Sequence, residues 1–351
     1  MNTNFNQVGN FGVVAKNIAL IGLLGFLVLF SIPIRAFSEE LKTVTLPPGV
    51  TDVQIQQALD ALPDSGGEVV LPPGNFTISQ PIVLQRDHQT LRGSGVETIL
   101  RLADGANCPV IIMGEPVNHP ARIVEGLRVS DLFVDGNRVH QQRELWRLSG
   151  EGSQIRNNGI EVQDVSNSAV ENVVCARCRS GGLVTARGVQ RLVVKNLDAF
   201  DNEFDGLACY QTENCLFTEL NLHDNPGAGI SLDLAFEHNV ISNAVLTGND
   251  LGIFMRASRD NQFHNISIRD SRHFGVFMAH TEKQTESGWQ PAPQTGCTDN
   301  AFTNLTAIRC GGPAFRVNNA SCTNNIIIGA QFENGVQNGL SLVSADLVTV
   351  Q

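Results

Sequence analysis

The chain has 351 residues and a formal net charge of −11, with 33 glycines, eight cysteines, two tryptophans and one tyrosine. The acidic balance argues against a nucleic-acid partner, which wants a basic face, but leaves room for an acidic polymer in a local cationic cleft. Abundant glycine and asparagine fit a chain whose turns recur at short intervals.

Lys16 precedes an apolar run over residues 18–30, and small residues follow at Ala36 and Ser38. This is the pattern of a secretory signal over residues 1–38, cut after Ser38. An uncleaved anchor is the alternative, but the run is short against the ~20 residues a bilayer demands. Residues 39–351 are therefore expected as one exported domain, free of the membrane after cleavage. All eight cysteines lie in that part, where disulfides persist. Cys175 and Cys178 form a lone CxxC with no second pair, which speaks against zinc or thioredoxin chemistry.

Ile55, Leu59 and Leu62 recur at helical spacing, so a helix is expected over 52–62 with Thr51 or Asp52 as its cap. Short strands broken by glycine and proline turns follow. The string Ala58-Leu59-Asp60-Ala61, Gly66-Gly67, Val70-Leu71-Pro72-Pro73-Gly74, Ile78, Leu91-Arg92-Gly93-Ser94-Gly95 and Asp135-Gly136-Asn137 resembles the pectin-lyase-like superfamily. The resemblance implies a right-handed parallel β-helix, all-β apart from the helix, which would cap the open end of the stack. The superfamily hosts lyases, hydrolases, epimerases and non-catalytic adhesins, so the resemblance speaks to fold more than to reaction.

From residue 159 the chain repeats. Glycines stand at 159, 182, 206, 229, 252 and 275, each leading a short strand whose first and third residues are apolar, with Thr185 the weak entry. A second column carries Phe217, Ile241, Phe263, Phe302 and Ile327. Two residues before each stand Cys215, Asn239, Asn261, Asn300 and Asn325, spaced to hydrogen-bond from coil to coil. The same alignment sets Cys297 under Cys322, which predicts a disulfide between them. The period is interrupted over 138–158 and 281–296, two loops flanking the expected cleft. Each carries one of the two tryptophans, Trp146 and Trp289, which suit stacking on sugar rings or closure of their own loops.

If the first and third residues after each glycine face inward, the second and fourth face out. That column brings Tyr210, Asp233 and Arg256 onto successive coils, with His280 one coil and one residue beyond. Proton abstraction beside a uronate carboxylate needs that charge neutralised, for which the arginine fork is apt, together with an acid and a base. Tyr210 and His280 fit the proton roles, Arg256 the neutralising role and Asp233 an orienting one. Asp205, Arg187, Phe254 and Phe277 join the tryptophans as candidate substrate contacts. Acid, base and neutraliser sets of this kind are what the resemblance implies for lyases and uronan epimerases, although the epimerase Asp-Pro-His motif is absent. The expectation is a secreted, monomeric polysaccharide lyase acting by β-elimination on an anionic polysaccharide. Two readings stay open beside it. One is a polygalacturonase-like hydrolase using Asp205 and Asp233, whose Asn-x-Asp-Gly opening is interrupted by an extra residue at 202–206. The other is a carbohydrate-binding or envelope scaffold in which the column is plain surface. Asp201, Asp224 and Asp270 could hold calcium, but the turn-capping reading is preferred and no cofactor is expected.

Overall fold

The computed structural model describes residues 42–142, 156–285, 288–291, 296–333, 339–342 and 348–350. The signal segment and Trp146 lie outside the described residues, and so does the side chain of Trp289. Among the described residues the strands stack into a 15-stranded and a 14-stranded sheet, paired in parallel, with an antiparallel hairpin of Glu282–Thr285 and Gly288–Pro291 set apart. This is a parallel β-solenoid, as the 23-residue period requires.

Each coil turns at corners that need a left-handed backbone. Asp164, Arg187, Gln211, Leu234 and Ala257 follow the glycine-led strands with φ between 42° and 60°, and Asn172, Asn196, Asn243 and Asn265 bend the long strands at φ between 53° and 56°. Asparagine and aspartate tolerate that region best, which is why they populate so many corners. Asp201, Asp224 and Asp270 are also left-handed corner residues, with φ of 56°, 55° and 55°. They are engaged with Arg138, His223 and Arg309 respectively.

The repeating glycines have a different cause, since none of the six has a positive φ. A Cβ on Gly159, Gly182, Gly206, Gly229 or Gly252 would meet the carbonyl oxygen of the next glycine at 2.4–3.0 Å. The coils approach each other too closely there for any side chain. Gly252→Ala, whose Cβ would also lie 2.5 Å from Ile268, is expected to destabilise the fold by ~2 kcal/mol through overpacking. Urea unfolding checks this as a lowered midpoint.

Inside the coils the glycine-led strands contribute Ile160, Leu183, Leu207, Ile230, Ile253 and Val276, all fully buried. Thr185 belongs there too, because its hydroxyl is satisfied by that of Thr212 at 2.7 Å. Phe217, Ile241, Phe263, Phe302 and Ile327 stack in register as a second buried column. Beside them Asn239, Asn261, Asn300 and Asn325 pass amide-to-amide hydrogen bonds of 2.9–3.2 Å along the axis. A second buried ladder runs through Asn202, Asn225 and Asn249.

The capping helix, α1, spans Asp52–Asp60, ending earlier than the expected residue 62. Pro63 disfavours a helical conformation in the residue before it. Thr51 is the cap, in a reciprocal box with Gln54. The Asp52 carboxylate instead accepts from the backbone and hydroxyl of Ser79, tying the helix to the first coil. Gln56 pairs with both backbone groups of Val83, at 2.8 and 3.0 Å. It thereby closes the edge of the strand Ile82–Leu84 as a neighbouring strand would. Among the described residues no helix is long and apolar enough to cross a membrane.

The disulfide expected between Cys297 and Cys322 is not formed. All eight cysteines are free thiols. The two do lie side by side on successive coils, but the sulfur of Cys322 is turned to accept the Cys297 amide N–H at 3.3 Å. Burial pushes the Cys297 thiol up, while the hydrogen bond from Cys297 holds that of Cys322 down.

Candidate active site

The outward face of the glycine-led strands is not open surface. Glu161, Val184, Ala208, Ser231 and Asp233 point away from the core, yet each is less than 8 % exposed. A cavity of about 210 Å³ opens on this covered face. Its wall includes Glu161, Arg187, Asp205, Tyr210 and Arg256, with Arg156 from the first period-breaking loop.

The register explains how residues so distant in sequence meet there. Glu161, Val184, Ala208, Ser231 and Phe254 are direct neighbours on successive strands, ~4.8 Å apart. Tyr210 pairs with Asp233 in the parallel column two residues on. Asp205 closes the turn before the strand Leu207–Glu213 and accepts the Ala228 N–H at 2.7 Å.

Two carboxyls in this cavity are held abnormally. Burial pushes Glu161 up to about 7, against the opposing hydrogen bond from Asn158 and the positive charge of Arg187. Arg187 lies 3.3 Å from Glu161 and donates to Gln163 at 2.8 Å. Asp205 is pushed up to about 6, again by burial, opposed by the Ala228 N–H and the charge of Arg156. The Tyr210 phenol is driven well above its usual value by burial and then by the nearby Asp205 charge. Its hydroxyl makes no protein hydrogen bond among the described residues. At neutral pH it is a proton donor, while Asp205 is mostly a carboxylate.

Arg256 is anchored from behind. It pairs with the buried Asp233, which also accepts from the Leu234 N–H at 2.8 Å and lies 3.4 Å from the Thr281 hydroxyl. Its guanidinium lies over the Phe254 ring, 5.1 Å from the centroid. Its Nε is buried without a hydrogen-bond partner, an unmet donor on a cavity wall.

The structure thus brings Tyr210, Arg256, Asp205, Arg187 and Phe254 to one cavity and sets Asp233 behind Arg256. His280 does not line it; its amide N–H donates to Asn319 at 3.0 Å. Phe277 is also outside it, stacked on Phe254 with ring centroids 5.9 Å apart. Glu161 is the residue that sequence reasoning missed. It stands in the second-residue column, where the first coil offers a carboxylate among apolar and small neighbours, and that contrast was the available signal. Among the described residues no group of three or more histidine, cysteine or acidic side chains has a geometry able to hold a metal ion.

A family model described as a right-handed β-helix region matches residues 127–268. No curated protein sequence matches the chain. Among solved structures, ORF18 of Geobacillus virus E2 aligns with a TM-score of 0.67 at 15% identity, covering 88% of this chain and 61% of that one. The A-module of the Azotobacter vinelandii mannuronan C-5 epimerase AlgE4 aligns at 0.51 and 17% identity, covering 86% and 95%. The tailspike gp49 of Acinetobacter baumannii bacteriophage Fri1, a capsular polysaccharide depolymerase, aligns at 0.56 and 15%, covering 88% and 56%. The chain therefore spans about three fifths of the viral ORF18 chain and almost the whole of the epimerase module. At these identities the likeness is one of fold. With the matched family model and the observed coils, it shows the fold of a right-handed parallel β-helix.

Proposed function

We propose that this chain is an exported enzyme that cleaves an anionic polysaccharide by β-elimination in the cavity between Glu161, Asp205, Tyr210 and Arg256. The supporting observation is the meeting on one cavity of the chain's only tyrosine, held protonated by burial, with the Asp205 carboxyl, which burial pushes up to about 6, and the unpartnered Arg256 Nε–H. Arg256 and Arg187 neutralise the uronate carboxylate, lowering the cost of charge on the adjacent carbon. The Asp205 carboxylate takes the C5 proton, that electron pair becomes the C4–C5 double bond, and the C4–O bond breaks. Tyr210 gives its proton to the departing glycosidic oxygen. The likeness in fold to an epimerase module and a depolymerase is consistent with a polysaccharide as substrate.

A second reading rests on a specific observation. Burial pushes Glu161 up to about 7 and Asp205 up to about 6 on the same cavity. Their columns lie two coils apart, ~10 Å, close to the spacing of an acid and a base across a glycosidic bond in an inverting hydrolase. Here the partner of Asp205 is Glu161 and not Asp233, which is committed to Arg256. Incubation with polygalacturonate, alginate and glycosaminoglycans separates the two. Elimination gives new reducing ends together with ultraviolet absorbance from the unsaturated uronate. Reducing ends without that absorbance favour hydrolysis, and neither product on any polymer rejects both.

A further inference from the structure

The outward column does not stop at the cavity. Beyond Phe254 it continues through Phe277 to Arg316 on successive coils. Phe254 and Phe277 lie nearly parallel with centroids 5.9 Å apart, and Phe277 stacks on Phe274 at 5.0 Å. Guanidiniums cover the two ends of the stack, Arg256 over Phe254 at 5.1 Å and Arg316 over Phe274 at 5.5 Å. Ring faces occupied in this way are not platforms for sugar rings. The stack is better understood as a spacer that holds two arginines at fixed places along one face.

The two ends differ in charge balance. Arg256 is neutralised by Asp233. Arg316 has no acidic partner among the described residues; its Nε and Nη2 both donate to Asn318 Oδ1, at 3.2 and 3.0 Å. The other described arginines without an ion pair, Arg191, Arg269 and Arg272, are exposed, and Arg156 acts on the Asp205 carboxyl in the cavity. Arg316 is half-buried, where an uncompensated charge is costly unless something else supplies the counter-charge. Asn319, whose Oδ1 accepts from the His280 backbone N–H, follows Asn318 in sequence and adds a second amide side chain to this end.

We propose that Arg316, held over Phe274 and steadied by Asn318, is a second anion subsite that takes an acidic group of the same polysaccharide chain bound at the cavity. The polymer then lies along the solenoid axis, its charged groups meeting Arg256 at one end of the stack and Arg316 at the other. The direction of binding follows from the register, since both arginines belong to outward positions of one sheet.

This rests on the reading of the cavity as an anionic-polysaccharide site, and the test separates the two. With a cleaved polymer in hand, the ratio of kcat/KM on the long polymer to that on a disaccharide, too short to span the ~10 Å of two coils, is measured for wild type, Arg316→Ala, Arg316→Gln and Arg316→Lys. One lost charge-assisted contact predicts a roughly tenfold fall in that ratio, carried by KM, and partial recovery in Arg316→Lys. An unchanged ratio overturns the subsite. If no polymer is cleaved, native gels cast with polygalacturonate, alginate or a sulfated glycan give the answer instead. Retardation of wild type that is lost in Arg316→Gln upholds the subsite although the catalytic reading has failed. Retardation equal in both, or absent for wild type, overturns it. The sulfated and unsulfated gels show which acidic group is preferred.

Discussion

Asp205→Asn is expected to lower kcat on the cleaved polymer by about 10³-fold, the usual weight of a positioned proton acceptor. The substitution preserves shape, and an asparagine oxygen can still accept the Ala228 N–H that fixes this turn. A large loss of rate with an unchanged unfolding midpoint is therefore the signature sought. The pH dependence carries a second, independent sign. Asp205 works as a base only when ionised, so wild-type kcat/KM should rise with pH through about 6, where burial places this carboxyl. Tyr210 is pushed above its usual value and stays protonated across that range, so it contributes no limb near neutrality.

The companion variants decide between elimination and hydrolysis. In elimination, Tyr210→Phe removes the proton for the leaving oxygen and costs ~10²-fold or more. In hydrolysis the acid is Glu161, which must be protonated, so activity falls as pH rises through about 7. There Glu161→Gln removes both the rate and the falling limb, while Tyr210→Phe changes little. A plateau above pH 7 with a crippled Tyr210→Phe supports elimination. A bell between about 6 and 7 with a crippled Glu161→Gln supports hydrolysis. Full activity in Asp205→Asn would reject both.

The period was readable because backbone geometry imposes it. A coil cannot close without left-handed corners, and neighbouring coils cannot approach where a Cβ intervenes, so asparagine, aspartate and glycine mark the register directly. Register in turn located the column, since Tyr210, Asp233 and Arg256 meet by coil arithmetic alone. The arithmetic could not say what covers a face. Phe254 and Phe277 look like exposed sugar platforms in a one-dimensional column, but their ring faces are taken by each other and by Arg256 and Phe274. His280 follows Ala279, which pairs with Arg256, yet it does not line the cavity, and its backbone N–H donates to Asn319. Glu161 was passed over because only three-dimensional burial distinguishes a solvated glutamate from one pushed to about 7. The cysteine pair shows the same limit. Column arithmetic set Cys297 beside Cys322 correctly, but whether a bond or an N–H···S contact joins them depends on how the sulfurs turn.

Asn225→Ala is expected to cost ~3 kcal/mol or more, the largest stability loss predicted for a single polar side chain of the ladders. Asn225 is fully buried and connects three coils. Its Oδ1 accepts from both the backbone and the side-chain amide of Asn202, each at 3.1 Å. Its Nδ2 donates to Ala199 O at 3.1 Å and to Asn249 Oδ1 at 2.9 Å. Alanine leaves the Asn202 N–H and the Ala199 carbonyl without these partners in a place water does not reach, at about 1–3 kcal/mol for each orphaned group. The exposed ladder through Asn243, Asn265 and Asn304, with amide contacts of 3.1 and 2.8 Å, provides the contrast. Asn265→Gly keeps the left-handed corner at φ 56° and lets water replace the lost amide, so it should cost under about 1 kcal/mol. Urea midpoints for the two variants measure the difference. Because each coil of a solenoid touches only its neighbours, hydrogen exchange in Asn225→Ala should quicken first in the coils carrying Ala199 and Asn249. Equal, small losses in both variants would mean that the buried ladder is ornamental and that the coils are held by their apolar columns alone.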